Sequence, residues 1–214
     1  MTGDPLRRLW QEASRGDYAS MARWARALYG SGLGIRAVIR TCYGVDFPEE
    51  FFVIAESGAW QRRLWVLFTD QPWELTVPLD QGGPLPEGDL EGRERKIFAR
   101  DPDLVPIVYL WTGGYDQMVG CYRLTELAAG RSTMFGVPRR AEPRDEIVCY
   151  DDYDSLLAIL HSYHAVHLDR LERRMSQPSN RGAGSISDVE VDMARSALEL
   201  VEGWQRQVAP RADG

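Results

Sequence analysis

YGVDFPEEFFVIAESG, residues 43–58, places a proline, a glutamate pair and three phenylalanines between two glycines. Pro48 is pre-set for a first helical turn, Glu49 and Glu50 suit the positive end of a helix dipole, and Asp46 or a neighbour can cap. Phe51, Phe52, Ile54 and Ala55 then fall on an inward face, and Gly58 ends the element. The stretch therefore reads as an anchor that seats a helix in a core.

Upstream, Asp17–Tyr29 puts Met21, Trp24, Ala25 and Leu28 at helical spacing, and a second helix from Gly34 or Ile35 to Tyr43 carries Ile35, Val38, Ile39 and Cys42 on one side. Between them, Gly30-Ser31-Gly32-Leu33-Gly34 follows a helix, whereas a phosphate-binding loop follows a strand; it is read as a helix-to-helix turn. Downstream the period changes. Arg63–Phe68 and Trp73–Leu79 are aromatic and β-branched runs that predict a hairpin or meander, with Trp60, Trp65, Trp73 and Trp111 grouped around the sheet. Asp80–Lys96, rich in Gly, Pro and charge, is expected to be a long exposed loop. Val105–Trp111 and Gln117–Tyr122 flank Gly113-Gly114 as a hairpin, and short strands near Thr133–Val137 and Glu146–Tyr150 complete an antiparallel sheet.

Asp151-Asp152-Tyr153-Asp154-Ser155 opens the longest helix, whose stripe holds Tyr153, Leu156, Leu157, Leu160, His164, His167 and Leu171. Residues Met175–Ile186 read as a linker. The last helix starts at Ser187 with Glu190 at capping-box spacing and carries Met193, Ala197, Leu200, Val201, Trp204 and Val208 on one face, to be buried on the same domain or in a dimer. The expected organisation is a single α+β domain over 1–174, a linker over 175–186 and an amphipathic helix over 187–209.

A chain of 214 residues, 44% hydrophobic, can close one core of about 150 residues or slightly more. No run of 18 apolar residues occurs and the start enters a polar helical pattern, so a cytoplasmic protein without a membrane span is expected. A net charge of -7 disfavours nucleic acid and favours a basic protein partner. Lys96 is the one lysine among 25 basic residues, which points to a GC-rich, bacterial coding sequence.

Cys42, Cys121 and Cys149 are widely spaced, sit among apolar residues, and read as small buried side chains. His161, His164 and His167 lie within one helix. The ends of that run are about 9 Å apart in rise, so one ion takes an adjacent pair at most, and no HExxH pattern accompanies them. Asp151, Asp152 and Asp154 read as an acidic helix start. No catalytic residue, metal site or cofactor is assigned.

Several of these segments resemble the SUKH superfamily. The helix ending Cys42-Tyr43-Gly44, the Val45-Asp46-Phe47-Pro48 step, Glu49-Glu50-Phe51-Phe52 and the closing Glu56-Ser57-Gly58 resemble its Leu-Gly turn, apolar-Pro step, aromatic helix and Asn-Gly. Leu104–Ile107 is similar to its central strand, Gly114-Tyr115-Asp116 with Val119–Leu124 to its glycine-acid turn and next strand, and Asp152–Leu157 to the start of its last core helix. The resemblance covers about residues 34–160. Ser57 stands where Asn is usual, and the 80–96 segment and the terminal helices depart from the pattern. It implies an α+β fold, helices on a mostly antiparallel sheet, and a non-enzymatic bacterial immunity protein that neutralises a toxin by masking it. Asp80, Glu87, Asp89, Glu91 and Trp60 are the candidate partner-binding residues. A metal-dependent enzyme using the histidine helix, or a regulatory scaffold domain, monomeric or dimeric through the last helix, are the alternatives.

Overall fold

A computed structural model describes residues 5–58, 60, 64–111, 117–138, 148–149, 154–177 and 186–209. The glycine-pair turn at 112–116, Asp151 to Tyr153 and positions 178–185 of the expected linker lie outside the described residues. The fold is α+β. The chain separates into two compact units, one formed by residues 1–48 and 66–154, the other by 49–65 and 155–214.

In the first unit, α1 (Pro5–Glu12), α2 (Tyr18–Gly30) and α3 (Ile35–Tyr43) precede the sheet. Gly32 takes a positive φ in the turn between α2 and α3, as the reading of the glycine run requires. At the end of α3, Gly44 adopts the left-handed conformation and its N–H donates to the Arg40 carbonyl at 2.7 Å. Phe47 follows, buried, with its ring 5.0 Å from Tyr43 and edge-on to Tyr122 at 6.0 Å. The phenylalanine of the proline step thus ties the end of α3 to the sheet.

The sheet is an antiparallel meander in the order β1 (Leu67–Phe68), β2 (Leu104–Trp111), β3 (Gln117–Arg123), β4 (Phe135–Pro138) and β5 (Val148–Cys149). Pro106 has no N–H for the ladder, and the β2–β3 register shifts between Pro106 and Val108. Gly120 lies opposite Val108; a Cβ there would come within 3.1 Å of Val108 Cγ1 and 3.2 Å of Met134 Cε, so its absence permits close packing. Helix α5 (Gly92–Arg100) buries Ile97 in a cluster with Leu104, Tyr109, Val119, Cys121 and Val137. A short helix, α6 (Leu124–Ala128), follows β3.

Expectations for several segments need correction. Trp73–Leu79 is not a strand: Trp73–Thr76 and Leu79–Gln81 form 3-10 turns. Within Arg63–Phe68 only Leu67–Phe68 pairs as a strand among the described residues. Asp80–Lys96 is not all loop, because α5 starts at Gly92. Trp60 and Trp65 belong to the second unit rather than to the sheet.

The second unit packs α4 (Glu49–Ser57), α7 (Leu156–Met175) and α8 (Asp188–Val208) together. Phe51 and Ile54 of α4 have no exposed surface, and Phe51 and Phe52 meet edge-on at 5.3 Å. The Glu50 carboxylate, buried, accepts from the Leu156 N–H at 2.8 Å and the Leu157 N–H at 3.1 Å, capping α7 together with the Ser155 hydroxyl, which accepts from Ala158. On α8 both halves of the Ser187–Glu190 capping box form. Leu171, Val191 and Ala194 make the far end of this core. Met193, expected inside, is 48% exposed, because the buried face of α8 runs through Val191, Ala194, Ala197, Val201 and Trp204.

Candidate functional site

The acidic segment of the first unit is pinned at both ends. Arg26 donates to the carbonyls of Gly82 at 2.8 Å and Pro84 at 3.2 Å. Gly88 lies on the Tyr18 ring so closely that a Cβ would sit 2.4 Å from a ring carbon, which only glycine avoids. On this held backbone Asp80 and Glu87 are exposed, and neither carboxylate has a hydrogen bond or ion pair among the described residues. Asp89 differs, since Arg95 donates to it at 2.6 Å and holds its carboxyl below the usual range. Glu91 accepts from the Tyr109 hydroxyl at 2.6 Å and faces Arg93 at 3.5 Å. Of the four expected acidic positions, two project to solvent unpaired and two are tied to their own fold.

Glu94 escaped the sequence reading. It has no exposed surface; its carboxylate accepts from the Asp70 N–H at 2.8 Å and the Gln71 N–H at 3.3 Å. Burial pushes its pKa up to about 8, and the Asp70 and Glu91 charges add to the rise. A carboxyl that is neutral near pH 7 has the poise of an acid catalyst, but this one meets no solvent and is occupied by backbone donors. It acts as a buckle between the 70–71 turn and α5. The signal was present in the spacing of Glu94, Ile97 and Phe98 along one face of a helix, masked by the flanking charges.

In the second unit Trp60 is partly buried, so the aromatic candidate and the acidic ones lie in different units. Trp65 is 39% exposed and its ring lies 5.1 Å from that of His167. Beside it opens a groove of about 680 Å³ between Leu64–Trp65 and α8, with Val189, Asp192, Met193 and Leu200 in its walls.

The histidines do not converge. His161 Nε2 lies 3.6 Å from a Glu202 carboxylate oxygen, and His164 is buried with neither ring nitrogen hydrogen-bonded among the described residues. Among those residues no group of three His, Cys, Asp or Glu side chains is placed to hold a metal ion. Burial, then the neighbouring His167 and His161, lowers the His164 pKa to about 4. Folding therefore keeps this ring neutral, whereas the unfolded chain protonates it near pH 6.5. Its contribution to stability is complete above pH 6.5 and is lost as pH falls toward 4, at up to about 1.4 kcal/mol per pH unit. Urea unfolding of His164→Leu at pH 7 and pH 5 should show a shallower acid loss than the parent. An identical acid loss in both proteins rules this out.

The Cys42 and Cys121 thiols are poor nucleophiles. Cys42 is free and burial pushes its pKa up to about 12, and Cys121, free and buried, is raised in the same direction by the same cause. Among the described residues no helix is long and apolar enough to cross a membrane. No protein-family model, curated protein or solved structure matches the chain.

Proposed function

We propose that this chain is a non-enzymatic, immunity-type binding protein of SUKH-like architecture, which neutralises a basic toxin domain by covering its surface. The observation that carries this reading is the pair of exposed carboxylates, Asp80 and Glu87, without partners among the described residues on a backbone pinned by Arg26 and Gly88. Charges that are held in place but left unneutralised by their own fold suit electrostatic steering of a cationic partner. The net charge of -7 acts in the same sense over longer range.

Co-expression with the product of a neighbouring gene, scored by rescue of cells that this product kills, is the direct test. In the purified pair, Asp80→Asn with Glu87→Gln should slow association about tenfold at low salt and flatten its salt dependence, while dissociation changes little. Failure of the chain to neutralise any neighbouring toxin removes the reading. An association rate insensitive to both substitutions removes these two residues from it.

A further inference from the structure

Helix α8 carries two apolar faces, and the fold uses one. At about 100° per residue, Val191, Ala194, Ala197, Val201 and Trp204 form the buried face. Roughly a third of a turn away, Val189, Met193 and Leu200 line the groove, with Val189 65% and Met193 48% exposed. The opposite wall is supplied by Leu64 and by Trp65, backed by His167. A tryptophan held by a second ring at the edge of an apolar groove has the composition of an interface anchor.

The next strip of α8 is acidic: Asp188, Asp192 and Glu199 are exposed, and Asp192 reaches the groove wall. Over the length of the groove, residues 188–200, the cation in that strip is Arg195, already shared between Asp192 at 2.9 Å and Glu172 at 3.0 Å, and Arg206 lies beyond the groove's end. A second copy seated here about a two-fold axis would bring two such strips together, which like-charge repulsion opposes. An anionic lipid surface is opposed for the same reason. An amphipathic helix with a cationic flank satisfies both the groove and the rim.

We infer that the groove between Leu64–Trp65 and α8 is a docking site for a basic amphipathic helix of a partner protein. This site is separate from the acidic segment of the first unit and does not require the partner to be a toxin.

The test uses the full chain and a fluorescently labelled Leu/Arg peptide of about 18 residues, amphipathic at helical spacing, with a scrambled peptide of the same composition as control. Val189→Asp and Met193→Asp are the variants. Both positions are exposed, and an aspartate at 189, in the first turn of α8, favours the helix dipole, so loss of fold does not explain loss of binding. Each substitution adds negative charge. Unspecific capture of cations would tighten, whereas docking in the groove should weaken at least tenfold. The scrambled peptide should bind as weakly as the variants, and Asp80→Asn with Glu87→Gln should leave the affinity unchanged, which separates this site from the one proposed above. Undiminished binding by both variants overturns the inference. So does light scattering that shows a dimer of the parent dissolved by Met193→Asp, because a second copy is then the occupant.

Discussion

Glu50→Ala is expected to destabilise the protein by about 3 kcal/mol, measured as a lower urea midpoint with an unchanged slope. The carboxylate accepts from the Leu156 and Leu157 N–H groups at 2.8 and 3.1 Å and is itself only 3% exposed. Those two donors belong to the first turn of α7, which has no intrahelical acceptor for them. Alanine leaves both buried without a partner and removes a negative charge from the positive end of a 20-residue helix. Ser155 keeps the Ala158 N–H satisfied and so cannot replace what is lost. Glu50→Gln retains one acceptor oxygen and turns an NH2 toward the other N–H, so it should lose less than the alanine variant. The site-specific readout is amide exchange: Leu156 and Leu157 should lose protection ahead of the rest of α7. A loss below about 0.5 kcal/mol, the scale of an ordinary surface substitution, would show that the cap is dispensable.

That cap marks the limit of what local sequence patterns reveal. The opening stretch correctly located a helix at Glu49–Ser57 with Phe51, Phe52, Ile54 and Ala55 buried. Glu50, however, was assigned to the dipole of its own helix, and its acceptors serve a helix more than a hundred residues later in the chain. Spacing along a segment cannot express that pairing. The Ser187–Glu190 box was legible because both its partners lie within one turn. β2 and β3 were legible for a similar reason, being consecutive runs joined by a short glycine-bearing segment.

The errors have a common physical cause, which is composition outweighing periodicity. Trp73-Glu74-Leu75-Thr76 contains strand-favouring residues, but Trp73, Leu75 and Thr76 are all buried, which alternation does not allow. The segment instead closes on itself: the Glu74 N–H donates to Asp70, the Leu75 N–H to Pro72, and the Thr76 hydroxyl to Trp73. In 80–96, glycine, proline and charge hid the start of α5, whose one face carries Glu94, Ile97 and Phe98 into the core. On α8 the residues of two adjacent apolar faces merged into a single expected stripe. Resolving them moves Met193 from a core position to the wall of an open groove. Of the partner-binding candidates, exposure was legible from charge, but internal pairing was not. Asp89 and Glu91 look like Asp80 and Glu87 in sequence but are tied into the fold, Asp89 by Arg95 and Glu91 by the Tyr109 hydroxyl and Arg93.

The second large effect is expected at Trp73, where alanine should cost about 4 kcal/mol and loosen the acidic segment that follows. The side chain has no exposed surface, packs edge-on to Phe68 at 4.9 Å, and its indole N–H donates to the Ile107 carbonyl at 2.8 Å. β1 ends at Phe68, so beyond it β2 has no strand partner on that side among the described residues; the Thr69 N–H and the Trp73 indole supply the donors that Ile107 would otherwise lack. The Thr69 hydroxyl does the same for Pro106 at 2.9 Å. Trp73→Phe separates the two contributions. It keeps most of the ring volume and removes the N–H, and because Ile107 still accepts from Thr69 at 3.2 Å the loss should be about 1 kcal/mol beyond the volume change. If association with a cationic partner depends on Asp80 and Glu87 being held in place, Trp73→Ala should slow it even under conditions where the chain remains folded, while Trp73→Phe should not. A Trp73→Ala protein that binds its partner at the parental rate would mean that the acidic segment needs no support from the turn beneath it. Steering would then rest on charge alone, irrespective of how that charge is held.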